Sequence, residues 1–125
     1  MNAVVLDTGA LIAFERGDRF VASLVSEARR TKGTLTVPAG CVAQAWRNPS
    51  RQARLGTLLR MPNTDVVSMG HADARTVGLL LAETEMSDVV DGHVAVCAHR
   101  LGAMVVTSDP DDIKRLGSTL GTHRV

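Results

Sequence analysis

Asp7 closes the apolar run AVVLD near the start of the chain, and Asp109 closes a second such run, AMVVTSD, near its end. Asp91 opens a helical pattern, DGHVAVCAHRLG, that feeds directly into that second run. If both runs are strands of one open α/β sheet, these acids meet outside the strand ends, where ligands gather at a reversal of strand order. Carboxylates so placed repel one another unless a cation neutralises them. Oxygen-only ligands suit hard ions such as Mg²⁺ or Mn²⁺. The pattern therefore predicts a divalent-metal site suited to phosphate chemistry.

The elements that must position these acids follow from two alternating periodicities. Residues 3–6 predict a buried strand, followed by a helix from Thr8 or Gly9 towards Glu15. Asp18 caps an amphipathic segment to about Arg30, with Phe20, Val21, Leu24 and Val25 on its apolar side. TLTVP predicts a second strand stopped by Pro38, and a helix follows over 39–47. Asn48-Pro49 breaks it, because proline lacks an amide donor and disfavours helix in the residue before it. A further helix is expected from Ser50 to about Arg60, then DVVSM as the third strand and a helix over 71–84 with Val77, Leu80 and Leu81 inward. The next helix begins near Asp88 or Asp91 and ends at Gly102. AMVVT is the fourth strand, Asp109 to Leu116 a short last helix, and the final residues offer a ragged edge strand. Nearly all-apolar strands alternating with helices indicate a three-layer α/β/α domain with a mostly parallel central sheet of four to five strands.

At 125 residues the chain is expected to be one domain, 1–125. A domain of that size buries roughly two-thirds of its unfolded surface and needs no disulfide or metal staple. Cys41 and Cys97 lie in apolar surroundings without metal-ligand spacing, so they are expected as buried thiols of a reducing compartment. No leader pattern opens the chain and no apolar stretch approaches the roughly 20 residues of a membrane helix. These features predict a soluble, cytoplasmic protein.

A near-neutral net charge of +1 hides an asymmetry. Between Ala28 and Thr64 there is no acid, but there are Arg29, Arg30, Lys32, Arg47, Arg51, Arg54 and Arg60. From Asp65 onward acids outnumber bases nine to five. An acidic site beside an arginine-rich face suits a phosphodiester, whose backbone the arginines would hold. One Trp, two Phe and no Tyr argue against a base-stacking platform. No His-x₃-His pair supports a zinc site, and no nucleophile-elbow glycines flank Ser87 or Ser108.

The blocks VVLDTGALIA, VPAGCVAQAWR and DVVDGHVAVCAHRLGAMVVTSDPDDI resemble, in order, the motifs of the PIN-domain ribonucleases. Within them the chain is most similar to the VapC-type toxins of toxin–antitoxin pairs. The resemblance implies a PIN-like fold and a metal-dependent endoribonuclease. It implies acids at four positions around one or two Mg²⁺ or Mn²⁺ ions. The first, third and fourth fall on Asp7, Asp91 and Asp109, whereas the glutamate of the third helix falls on Gln44. Glutamine offers a neutral carbonyl oxygen and removes one charge from the site. The resemblance further implies an RNA substrate, a cognate antitoxin whose basic tail covers the acids, and a homodimer.

Asp88 lies three residues before Asp91, so both share a helix face if the helix starts early. It is expected to compensate as a further metal ligand while serving as an N-cap. Thr107 and Ser108 carry hydroxyls able to orient a metal-bound water. Arg47, Arg51 and Arg54 are the candidate RNA-backbone contacts, and Trp46 is expected to pack. Asp111 and Asp112 are assigned to the first turn of the last helix, where its dipole favours acids. The Gln44 departure also admits a second reading, a catalytically silent module that binds RNA or an antitoxin-like partner.

Overall fold

Aliphatic and β-branched runs become strands where a parallel sheet buries them on both faces. In the computed structural model, which describes residues 3–125, those runs are β1 (Val4–Leu6), β2 (Leu35–Pro38), β3 (Thr64–Val67), β4 (Met104–Thr107) and β5 (Thr122–Arg124). Between them stand α1 (Thr8–Glu15), α2 (Arg19–Thr31), α3 (Ala39–Ala45), α4 (Ala53–Arg60), α5 (His71–Thr84), α6 (Val89–Leu101) and α7 (Pro110–Leu116). The sheet order is β3-β2-β1-β4-β5, and every pairing is parallel. The chain is thus α/β with an all-parallel sheet, and the expected edge strand is β5.

Helix α1 contacts α2, α3 and α4, whereas α5, α6 and α7 contact one another, which gives the two helical layers. Val5, Leu6, Leu35, Val37, Val105 and Val106 fill the space between them. Truncating one fully buried leucine here, such as Leu58, is expected to cost about 2–5 kcal/mol. Because β2 lies on one side of β1 and β4 on the other, the chain reverses its direction of travel between β1 and β4. Their carboxyl ends are Asp7 and the Thr107–Asp109 segment. Among the described residues no helix is long and apolar enough to cross a membrane. Cys41 and Cys97 are both buried and unpaired.

Three local expectations differ from the structure. The helix expected over 39–47 ends at Ala45, and the one expected from Ser50 starts as a 3-10 turn at Pro49–Arg51 before α4. A buried glutamine supports this break at Asn48-Pro49: Gln52 accepts the N–H groups of Arg47 and Asn48 at 2.7 and 2.8 Å and donates to the carbonyl of Ala45 at 2.9 Å. Those bonds satisfy the backbone groups freed by the interruption. The third strand stops at Val67, two residues short of Met69, which is exposed. Phe20 stays at the surface, where its ring stacks on His123 of β5 with centroids 3.6 Å apart. Trp46 packs against the core, as expected.

Candidate active site

Each acid of the site sits where a strand hands over to a helix or a helix begins. Asp7 follows β1 and caps α1, its carboxylate accepting the N–H of Ala10 at 3.0 Å. It is buried, and removal from water pushes its pKa above the usual aspartate value, against the opposing hydrogen bond from Thr107. Asp88 caps α6 by accepting the N–H of Asp91 at 2.9 Å, so the expected cap is present. Asp91 stands in the first turn of α6 with its pKa pushed up to about 6, first by burial and then by Asp88, Asp7, Asp112 and Asp109. Asp109 precedes α7, where Pro110 occupies the first turn and needs no amide partner.

Thr107 ties two of these acids together. Its buried hydroxyl accepts the N–H of Asp109 at 2.9 Å and hydrogen-bonds the carboxylate of Asp7. Ser108 is exposed and lies against Gly9: a Cβ on Gly9 would stand 2.9 Å from the Ser108 nitrogen and 2.7 Å from its Cβ. Only glycine lets the β4–α7 loop approach α1 so closely, and that approach brings Asp109 towards Asp7. Gly40 does the same service on the other side, since a Cβ there would meet Val90, next to Asp91, at 3.0 Å.

Gln44, on α3, is exposed, and its Oε1 accepts the hydroxyl of Thr8 at 2.5 Å. The carbonyl is thereby anchored beside the residue that follows Asp7. Asp112 belongs to the constellation more closely than its helix-dipole reading suggests. Asp109 favours its protonated form, which can donate to the Asp109 carboxylate, and so raises its pKa. The signal was its spacing, three residues after Asp109, which places both on one helix face. Cys41 was also absent from the expected site. Its buried thiol lies near enough to Thr8, Asp7 and Asp91 to feel all three, and burial pushes it up to about 12. A thiol so held is inert.

The arginines fare differently from one another. Arg47 turns its guanidinium back on the carbonyls of Ala43 and Trp46 at 2.8 and 3.1 Å, finishing α3. Arg51 is exposed on the 3-10 turn. Arg54 leans from α4 over the turn between α1 and α2, its Nη1 2.7 Å from where a Cβ on Gly17 would lie. His93 is buried in α6 with an unpartnered Nε2 and a depressed pKa, and it takes no part in the acidic cluster.

Five carboxylates thus raise or feel one another's charge, yet the ion pairs among the described residues are Glu27–Arg30 and Asp73–Arg100, elsewhere on the surface. Arg115 eases the cluster from its rim, acting on Asp112. No three His, Cys, Asp or Glu side chains among the described residues are drawn close enough to enclose an ion. The donor set nevertheless fits a hard dication in chemistry: oxygen ligands, excess negative charge, and an open edge. Mg²⁺ in particular keeps several waters and needs only one or two carboxylates.

Comparison with known proteins bears on this geometry. The sequence profile of the PIN domain matches residues 4–118. A similar solved structure is that of VapBC2 from Rickettsia felis bound to a DNA fragment from their promoter, with a TM-score of 0.71, 15% identity and 98% of each chain covered. At that identity the likeness is one of fold. No curated protein matches the chain in sequence.

Proposed function

Because the chain belongs to the PIN domain family, we propose that it is a divalent-metal-dependent endoribonuclease, the toxin of a VapC-type toxin–antitoxin pair. The observation that supports this reading is that Asp7, Asp91 and Asp109 feel one another's charge at the reversal point of the sheet, none of them ion-paired. Asp7, Asp91 and Asp109 would hold Mg²⁺ or Mn²⁺, with Asp88 beside them. When bound, the ion supplies Lewis acidity towards water and the phosphodiester.

The remaining work falls to the chain's own residues. Thr107 would help position Asp7 and the Asp109 loop, since its hydroxyl accepts the backbone N–H of Asp109 and lowers the pKa of the Asp7 carboxylate. Asp91 holds its proton to about pH 6, so near neutrality its carboxylate is mostly ionised and ready for a cation. Gln44, anchored by Thr8, presents an amide NH₂ that can donate to a phosphate oxygen, as glutamate could not. Arg51 and Arg54, and Arg47 where its backbone bonds leave donors free, would hold the RNA backbone. A cognate antitoxin, a homodimer and a cytoplasmic setting belong to the same proposal, supported by the fold likeness to a chain of VapBC2.

A second reading is favoured by Gln44 alone: a silent module that binds RNA or an antitoxin without cutting. End-labelled RNA incubated with Mg²⁺ or Mn²⁺ separates the two. Discrete products that vanish with EDTA and with Asp91→Asn mean a metal-dependent endoribonuclease. Intact RNA in every lane, from folded protein and several RNA pools, means the silent module.

A further inference from the structure

A groove of about 710 Å³ opens beside the acidic edge. Gly9 and Ser108 form the end nearest Asp7 and Asp109, and Arg16 and Arg19 line it along the turn from α1 to α2. Arg54 lies at the groove's border over Gly17, whose missing side chain leaves room for the guanidinium. Arg124, at the carboxyl end of β5, reaches the carbonyl of Ser108 at 3.5 Å. Among the described residues none of these four arginines pairs with a carboxylate. Two further residues of the groove wall bear on its charge: Asp18, held as a helix cap that accepts the N–H of Val21 at 3.0 Å, and Val125, the last residue of the sequence.

Two opposite fields therefore meet at the contact between Gly9 and Ser108. A basic peptide reaching the carboxylates would be repelled along the groove, and an acidic peptide seated in the groove would be repelled at the carboxylates. A nucleic-acid strand suits both, since its repeated phosphates pair with guanidiniums while one phosphate is offered to a cation at the acidic edge. Among the described residues no aromatic side chain lines the groove, so they offer no stacking platform for bases.

We propose that this groove holds the phosphates flanking the scissile one in the RNA substrate, through Arg16, Arg19 and Arg54, and that it grips backbone without reading bases. The proposal rests on the ribonuclease reading for its choice of strand. Its test needs no cleavage. Wild-type protein in EDTA is titrated with a fluorescent single-stranded RNA oligonucleotide at several salt concentrations, alongside Arg16→Gln/Arg19→Gln and Arg47→Gln/Arg51→Gln variants. Matching unfolding midpoints establish that the variants fold.

The groove variant is expected to bind about tenfold more weakly, with the slope of log Kd against log salt reduced by about 0.7 for each phosphate that the missing guanidiniums no longer neutralise. The weakening should be equal for oligonucleotides of different base sequence. Unchanged affinity and slope in the groove variant, or no RNA binding by the wild type, overturns the proposal. RNA that binds as expected but is never cut with Mg²⁺ or Mn²⁺ leaves the groove standing and removes the ribonuclease reading. Cleavage with unaltered binding in the groove variant does the reverse.

Discussion

Asp73 and Asp91 occupy the same place, the first turn, in two helices that pack together, α5 and α6. Asp73 meets the guanidinium of Arg100 at 2.8 Å, which holds its carboxyl below the usual aspartate range. Asp91 is half-buried among other carboxylates and is pushed up to about 6. Residue type and helical position are shared, so the difference lies in the partner. One acid closes a contact between helices. The other keeps an unneutralised charge that destabilises the metal-free fold and suits it to an incoming cation.

The sharpest break between the two is in catalysis. Asp91→Asn is expected to lower RNA cleavage on the order of 10²–10³-fold, the usual loss for one charge-stabilising group, while Asp73→Asn leaves the rate unchanged. Initial rates on end-labelled RNA check both. Next in size is Gly9→Ala, which leaves every acid in place but drives a Cβ into Ser108. Displacing the Asp109 loop by about 1 Å should slow cleavage up to about 10²-fold, with about 1–3 kcal/mol of overpacking strain in urea unfolding.

Smaller still is Gln44→Glu, which adds a carboxylate on the Asp91 side of the comparison and alters the partner of the Thr8 hydroxyl. It should tighten the Mg²⁺ half-saturation of cleavage roughly tenfold, equivalent to about 1.4 kcal/mol. A weaker Mg²⁺ response would mean that position 44 faces phosphate instead of metal. Effects on stability come last, and they carry opposite signs. Below the ordinary aspartate pKa of 3.8, folded and unfolded chains both hold the Asp91 proton. Between there and about 6 the unfolded chain ionises first, so the Asp91 contribution falls as pH rises and then levels. For Asp73 the paired carboxylate stabilises above the ordinary value, and that contribution is lost as pH falls through its depressed pKa. Unfolding midpoints of the metal-free protein from pH 3 to 8 should therefore rise for Asp91→Asn near neutrality and fall slightly for Asp73→Asn.

Much of the fold was legible because its signals are local. Apolar runs of strand length, caps at Asp18 and Asp88, and the stop at Gly102 each declare themselves over a few residues. The site was partly legible for the same reason: Asp7 and Asp109 end strands, and an open parallel sheet concentrates chemistry where its strand order reverses. What escaped were contacts between segments far apart in sequence. Asn48-Pro49 announced the broken helix, but Gln52 has no local reason to be buried, and its three bonds to the end of α3 and the loop beyond appear only in the fold. Phe20 fits an apolar stripe, yet the strand that receives it is β5, at the opposite end of the chain.

The amino-acid sequence by itself determined the order of strands and helices, the strand-end positions of Asp7 and Asp109, and the loss of a charge at Gln44. Periodicity and side-chain chemistry act at short range, so these features need no partner to be read. Tertiary structure alone decided which acids go unpaired, that Asp112 joins Asp109, that Thr107 ties the Asp7 carboxylate to the Asp109 backbone, and that Arg54 crosses to Gly17 beside Arg16 and Arg19. Burial and charge are sums over neighbours brought together by packing, and no spacing along the chain records them.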